Sequence, residues 1–212
     1  MKNRLDPTLL KDTYTFKEYF QLVGELVEQK KTTGPNQSEL NAQYTRLNFQ
    51  RLKRIAKTLR ISDELTNAVH NVQSEMLWIV IVEAWCGDVP QNLPYFDAIC
   101  STTGKIQLKI VLRDDNQEIM DQFLTNGSRS IPKLICLDPD SYEVIGTWGP
   151  RPVGARELVQ KLLKDPLITK DMRNEAVQRW YLGNKGQQLQ LEMRFLIKEW
   201  DSCLSTTMST VN

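Results

Sequence analysis

The sequence predicts an α/β fold with a mixed sheet, preceded and followed by helical segments. One observation is the apolar run MLWIVIV at residues 76–82, whose length and β-branched composition indicate a buried strand rather than a helix. The other is the order of patterns that follows it. Strand and helix periodicities succeed one another as β-α-β-α-β-β-α up to about residue 165.

Helical patterns flank this region on both sides. Apolar residues recur at helical spacing over residues 16–27, 38–59 and 62–72, and again over 171–182 and 187–203. Thr15 and Glu18 have the spacing of a capping box at the start of the first helix. We therefore expect an N-terminal helical extension (1–75), an α/β domain (76–165), and a C-terminal helical segment and tail (166–212).

Composition and charge narrow the classes of function. The 212 residues carry a net charge of +1, so electrostatics predict neither nucleic-acid binding nor membrane attachment. No secretory signal is recognisable, and we expect a cytoplasmic protein. The four cysteines have no zinc-type spacing or local pairing pattern, so neither a metal site nor a structural disulfide is expected. No cofactor motif is recognised either.

Three features after the first strand resemble the thioredoxin superfamily. Residues 84–87 read Ala-Trp-Cys-Gly at the end of the strand, and Pro94 follows inside the next helical pattern. Residues 127–132 read Gly-Ser-Arg-Ser-Ile-Pro. The resemblance over residues 76–165 implies a thioredoxin-like fold, with a cis peptide bond at Ile131-Pro132 beside Cys86.

A bacterial "WCGD" subgroup of thioredoxin family proteins is still more similar. It pairs this motif with stretches similar to LRDDNQEIMDQFLTNGSRSIP (112–132) and WGPRP (148–152). It also has N-terminal helices with a turn similar to KTTGPNQSE (31–39), which extends the resemblance to nearly the whole chain.

Two positions depart from the family pattern. Val89 occupies the place of the second cysteine, and Val80 that of a buried strand acid that helps to move protons. Cys100 lies fourteen residues beyond Cys86 on the same helical pattern, about 20 Å away and too far for a disulfide. Cys136 lies in an apolar strand pattern and is expected in the core. The sequence thus predicts a monothiol site.

The chemistry of such a site depends on the charge around the thiol. A helix N-terminus favours the Cys86 thiolate, and the neighbouring Asp88 carboxylate disfavours it unless a cation neutralises the carboxylate. Arg129 is the expected cation, with Arg113 near the same sheet edge. The expected catalytic residues are Cys86, Asp88 and Arg129. The expected substrate-binding residues are Trp85, Gly87, Ile131, Pro132 and Arg113.

Several functions fit this site. The first is mixed-disulfide formation with a protein or a low-molecular-weight thiol in redox homeostasis, an oxidoreductase-like activity resolved by an external thiol. The alternative is a non-catalytic module that binds an extended peptide beside the cis-proline. The helical extensions could also form an assembly surface, most simply in a homodimer. A glutathione-ligated iron–sulfur role is less favoured, because Asp88-Val89 does not match the monothiol glutaredoxin motif.

Overall fold

A computed structural model describes residues 3–209 of the protein, with side chains as far as residue 206. Its centre is one four-stranded sheet in the order β2-β1-β3-β4. β1 pairs with β2 in parallel and with β3 antiparallel, and β3 pairs with β4 antiparallel. The strands are β1 (Met76–Val82), β2 (Ile106–Leu112), β3 (Lys133–Leu137) and β4 (Val144–Trp148).

Eight α-helices accompany the sheet in the described residues. Within the domain the order is β1-α4-β2-α5-β3-β4-α6, which confirms the predicted alternation and the thioredoxin-like arrangement. The helices are α1 (Phe16–Glu28), α2 (Glu39–Thr58), α3 (Asp63–His70), α4 (Val89–Ser101), α5 (Gln117–Gln122), α6 (Val153–Leu162), α7 (Lys170–Asn184) and α8 (Gln187–Ser209).

The core is built around β1, whose seven residues are all buried because helices cover both faces of the sheet. The Trp78 ring is fully buried and makes edge-to-face contacts with Phe96 of α4 and Trp200 of α8. Such aromatic pairs contribute about 0.5–1.5 kcal/mol each beyond their area burial. The C-terminal helix therefore completes the core of the domain.

The N-terminal extension packs closely on the same body. α1 packs on α2, α2 on α4, and α3 on α8. The capping box predicted at Thr15 and Glu18 is present at the start of α1. The segment before α1 pairs Tyr14 with Ile110 at the outer edge of β2, so this edge strand is partly protected from pairing with another chain.

The end of the sheet where β1 and β2 finish and β3 begins holds the sequence-predicted site. Because β3 runs antiparallel to β1, Lys133 at its start pairs with Ile81 near the end of β1. β4 ends at the same edge, where Leu134 pairs with Trp148. The turns after β1, before β3 and after β4 consequently meet at one end of the sheet.

Candidate functional site

Cys86 lies in the turn between β1 and α4, just before the helix begins. Its backbone N–H donates to the Glu83 carbonyl (3.1 Å), and the Val89 N–H donates to the Cys86 carbonyl (3.3 Å). The Sγ donates to the Ile131 carbonyl at 3.3 Å, and the Ile131-Pro132 peptide bond is cis. The thiol therefore lies against the segment that leads into β3, and only 9% of the residue is exposed.

Burial raises the pKa of the Cys86 thiol to about 12, and the Asp88 carboxylate also raises it. The backbone N–H groups of Asp88 and Val89 and the Arg151 guanidinium lower it, but they do not compensate. The rise from an ordinary value of 9.0 corresponds to about 4 kcal/mol against ionisation, whereas a helix end supplies only about 0.3–2 kcal/mol. Burial and the Asp88 carboxylate together favour the neutral thiol over the thiolate.

Asp88 is 4% exposed and forms an ion pair with Arg151 (Oδ2 to NH2, 2.6 Å). Burial raises the pKa of the Asp88 carboxyl, and Arg151 and the Tyr181 hydroxyl oppose this rise. Asp88 precedes α4 without capping it through its side chain. Its role is thus to link the start of α4 to the loop after β4.

The structure corrects the expectation that Arg129 neutralises Asp88. Arg129 is exposed and makes two hydrogen bonds to Asp121 of α5, at 2.6 and 2.7 Å, with a third to Gln117. This fork-to-carboxylate geometry holds the guanidinium on α5. The cation paired with Asp88 is Arg151, which follows Trp148 by three positions and which the sequence did not single out for this role. Arg51 of α2 also lowers the pKa of Asp88.

Arg113 lies over the Trp85 ring, with 4.7 Å between the guanidinium carbon and the ring centre. It also pairs with Asp114 at 2.7 Å and donates to the Arg129 carbonyl at 3.4 Å. Trp85 is partly exposed, so this stack forms part of the wall beside the thiol. The side chain of Arg113 is thus engaged with Trp85, Asp114 and the Arg129 carbonyl.

Glu83 is a buried acid that the sequence reading did not single out. The Thr33 hydroxyl donates to its Oε2, and the Asp114 N–H donates to its Oε1 at 2.9 Å. Thr33 in turn accepts from the Ala84 N–H at 2.9 Å. Burial raises the pKa of the Glu83 carboxyl. Its position directly after a fully apolar strand was the sequence feature that could have marked Glu83 as a buried acid. Through Thr33, Glu83 attaches the turn between α1 and α2 to the edge of the sheet.

Both helical extensions cover the Trp-Cys-Gly-Asp turn. From α2, Asn48 donates to the Ala84 carbonyl at 2.9 Å. From α7, Gln178 donates to the Gly87 carbonyl at 3.1 Å, and an added Cβ at Gly87 would lie 3.2 Å from this same side chain. The turn is therefore enclosed by parts of the chain outside the α/β domain.

The remaining cysteines do not supply a second thiol. Cys136 is buried in β3, as expected, Cys100 lies near the far end of α4, and Cys203 is exposed on α8. None of the four cysteines forms a disulfide. Within residues 3–209 no cluster of His, Cys, Asp and Glu could hold a metal ion, and no helix in this range is long and apolar enough to cross a membrane.

Comparison with known proteins agrees with this geometry. A thioredoxin family model matches residues 34–165, which is more than half of the chain. The chain belongs to the thioredoxin family. The match includes α2 and α3, so it begins well before β1.

Two solved structures are similar over most of the chain. A Pseudomonas aeruginosa protein of unknown function is 17% identical, covering 87% of this chain and 98% of its own, with a TM-score of 0.57. An HIV epitope-scaffold protein is also 17% identical, covering 82% of this chain and 96% of its own, with a TM-score of 0.53. Both similarities concern the fold alone. No curated protein matches the chain.

Proposed function

We propose that this thioredoxin-family protein is a binding module that keeps Cys86 as a neutral thiol. The carrying observation is the hydrogen bond from the Cys86 Sγ to the Ile131 carbonyl, since a thiolate has no proton to donate. The nucleophile in thiol–disulfide exchange is the thiolate. A site that stabilises the protonated sulfur therefore favours binding over exchange chemistry.

The surroundings of the turn support this proposal. Val89 is 2% exposed at the place of a resolving thiol, so the position is filled by a packed apolar side chain. In-line attack on a disulfide needs access to the sulfur. Asn48 and Gln178 bind main-chain carbonyls on both sides of Cys86, and only 9% of this residue is exposed, so such access is restricted.

The partly exposed segment before Pro132 is the place for a partner. Residues 129 and 130 lie at the surface, whereas β2 pairs with Tyr14 and Arg4 bridges to Glu143 beside β4. An extended peptide binds through main-chain groups. The Arg129 and Ile131 carbonyls and the Ser130 N–H already have partners within the chain, so a peptide would bind through the other main-chain groups of this segment. We infer that a peptide lies along residues 129–131 next to the thiol, without a covalent step.

A trapping experiment tests the neutral-thiol proposal. The folded protein is incubated with oxidised glutathione at neutral pH, and adducts at Cys86 are mapped by mass spectrometry of proteolytic fragments. We expect no adduct at Cys86 while exposed Cys203 reacts, and a full adduct at Cys86 once the chain is unfolded in urea. Rapid modification of Cys86 in the folded protein would contradict the proposal.

Mixed-disulfide formation is the second candidate, and one observation favours it. The Arg151 guanidinium and the N–H groups of Asp88 and Val89 all lower the pKa of Cys86. If a partner displaced the Asp88 side chain, these groups would stabilise a thiolate. The thiolate would attack one sulfur of a disulfide, release the other as a thiolate, and be freed by a second, external thiol.

Membership of the "WCGD" subgroup and a homodimer both remain predictions. The subgroup rests on the similar stretches at residues 31–39, 112–132 and 148–152. The homodimer would form through exposed apolar side chains of the helical extensions. Leu182 of α7 and Leu191 of α8 are examples, 62% and 48% exposed. Sedimentation of the full chain at several concentrations would decide the oligomeric state.

A further inference from the structure

A groove of about 580 Å³ opens beside the thiol site, where β3 begins and β4 ends. It is bounded by the loop after β4, the start of α6 and one face of α8. Its volume lies within the usual range of small-molecule sites, roughly 300–1,000 Å³. The groove is therefore large enough for a small organic ligand.

Lys133 places a cation in this groove without an acidic partner. The residue is 7% exposed, and its Nζ donates to the Thr125 hydroxyl at 3.1 Å. No described carboxylate forms an ion pair with it. An ammonium group has three N–H donors, so two remain for a ligand or for water. Burial and the nearby Arg156 lower the pKa of Lys133, and an anion would relieve both effects.

Arg156 adds a second cation to the groove. It lies exposed on the first turns of α6, and its side chain makes no ion pair or hydrogen bond within the described residues. The one acid that lines the groove, Glu192, already accepts from the Trp148 indole N–H at 2.6 Å and the Val153 N–H at 2.7 Å. The free hydrogen-bonding capacity of the groove thus belongs mainly to donors with positive charge.

Apolar side chains form the rest of the wall. Phe195 of α8 is 58% exposed, Leu124 41% and Val153 36%, and all three line the groove. Exposed apolar surface grouped beside charged groups is typical of a ligand site. An occupant that matches the groove has one acidic group and an apolar body.

We propose that this groove binds a carboxylate attached to an apolar body, such as an acidic or C-terminal carboxylate of a peptide that lies beside the cis-proline. The proposal rests on the binding function proposed above and adds the chemical class of the ligand. The carboxylate contacts Lys133 and Arg156, and the apolar body contacts Phe195. No bond is formed or broken.

The test uses the full-length, isotope-labelled chain and two probes that differ only in charge, N-acetylleucine and N-acetylleucinamide. Amide resonances are followed during titration. We expect saturable shifts at Gly149 and Val153 with N-acetylleucine, with a dissociation constant on the order of 1 mM for so small a probe. The neutral amide should bind about tenfold more weakly, because it loses charge-assisted hydrogen bonds.

Matched variants locate the site. Arg156→Gln should weaken N-acetylleucine binding about tenfold, whereas Lys161→Gln, on the same helix but outside the groove, should leave it unchanged. Phe195→Ala should weaken binding several-fold. Leu191→Ala, at another exposed position of α8, should leave binding unchanged.

Four results would overturn the inference. One is equal affinity for the acid and the amide, and another is equal loss from Arg156→Gln and Lys161→Gln. The third is a set of shifts centred on Leu182 and Gly186, which line a second groove between α2, α4 and α7. Inorganic phosphate that binds as tightly as N-acetylleucine would exclude the apolar body. If the groove does not bind N-acetylleucine, the expected behaviour of Cys86 is unchanged, so each proposal can be refuted without the other.

Discussion

Replacing Asp88 by asparagine should make the Cys86 thiol ionise more easily. Asp88 is the second cause, after burial, of the raised pKa of Cys86. The variant removes the negative charge and keeps the size of the side chain. It also leaves the Arg151 guanidinium without its carboxylate, so the cation acts more strongly on the sulfur.

The size of the effect follows from the pKa of Cys86. With a pKa of about 12, about one thiol in 10⁴ is ionised at pH 8, against about a tenth of thiols with the ordinary pKa of 9.0. Alkylation of the parent should therefore be on the order of 10³-fold slower than that of a free thiol. Loss of a carboxylate within ~4–6 Å should raise the rate about tenfold or more.

The assay is the pH dependence of iodoacetamide alkylation, with the ultraviolet absorbance of the thiolate as an independent measure. Cys100→Ala, Cys136→Ala and Cys203→Ser remove the other thiols. Arg129→Ala is the matched control for charge, because Arg129 is bound to Asp121, and it should leave the Cys86 titration unchanged.

The double variant Asp88→Asn with Arg151→Met separates the two charges. It should return part of the gain in rate, because the unpaired guanidinium no longer favours the thiolate. Two results would refute the reasoning. The first is a parent thiol that titrates near the ordinary value of 9.0, and the second is an unchanged pH profile of alkylation in Asp88→Asn.

Three further outcomes are expected. The parent should show little turnover in dithiothreitol-driven insulin reduction. Val89→Cys should raise the turnover, because it gives Cys86 a resolving thiol. Parent activity equal to that of a dithiol thioredoxin would contradict the monothiol assignment. Burial raises the pKa of Glu83. Between the ordinary carboxyl pKa and this raised pKa, the folded state therefore holds more protons than the unfolded state. The free energy of unfolding should fall as the pH rises through this range. Glu83→Gln should flatten this decline in urea titrations. Gly149 has φ +125° and lies against the Pro132 carbonyl, so Gly149→Ala should cost at least about 2 kcal/mol, whereas Gly104→Ala, which meets nothing within 4 Å, should stay within about 0.5 kcal/mol.

Local patterns predicted the fold because each element has its own periodicity and its own end signals. The run at residues 76–82 forms β1 with the predicted bounds, and α1 begins at the predicted N-cap, Thr15. α2 and α3 begin close to the predicted starts at about residues 38 and 62. α4 contains Pro94, which lies inside the predicted helical pattern. These features depend on residues within one or two turns of each other, which the sequence shows directly.

The main-chain framework of the site was predicted because short motifs specify it. The charge pairing was not predicted, because it joins residues far apart in the sequence. Cys86 and Ile131 meet as the resemblance implied. The partner of Asp88, however, is Arg151, which lies 63 residues further along the chain. Arg129, the cation expected from the sequence, pairs instead with Asp121, only eight residues away. A single sequence gives no measure of which of several cations reaches a buried carboxylate.

The coverage of the site by the helical extensions could not be read from the sequence either. Asn48 and Gln178 are polar residues on helical patterns, and such residues are usually solvated. Here their side chains donate to carbonyls of the turn that contains Cys86. Because buried carbonyls require donors, the extensions are needed to satisfy the turn as well as to cover it.

Arg151 connects the thiol site to the groove beside it. The residue lines the groove, but its guanidinium is directed to Asp88 at 2.6 Å, so its charge is already neutralised. A buried ion pair of this kind adds little net stability but fixes the geometry of the elements that it joins. Lys133 and Arg156 are consequently the cations left to attract an anion. If Arg151 were the anion ligand instead, Asp88 would lose its partner whenever a ligand bound, and Cys86 alkylation would change with ligand concentration. We expect no such change with N-acetylleucine. The rate of Cys86 alkylation therefore shows whether Arg151 stays paired with Asp88 or moves to the ligand.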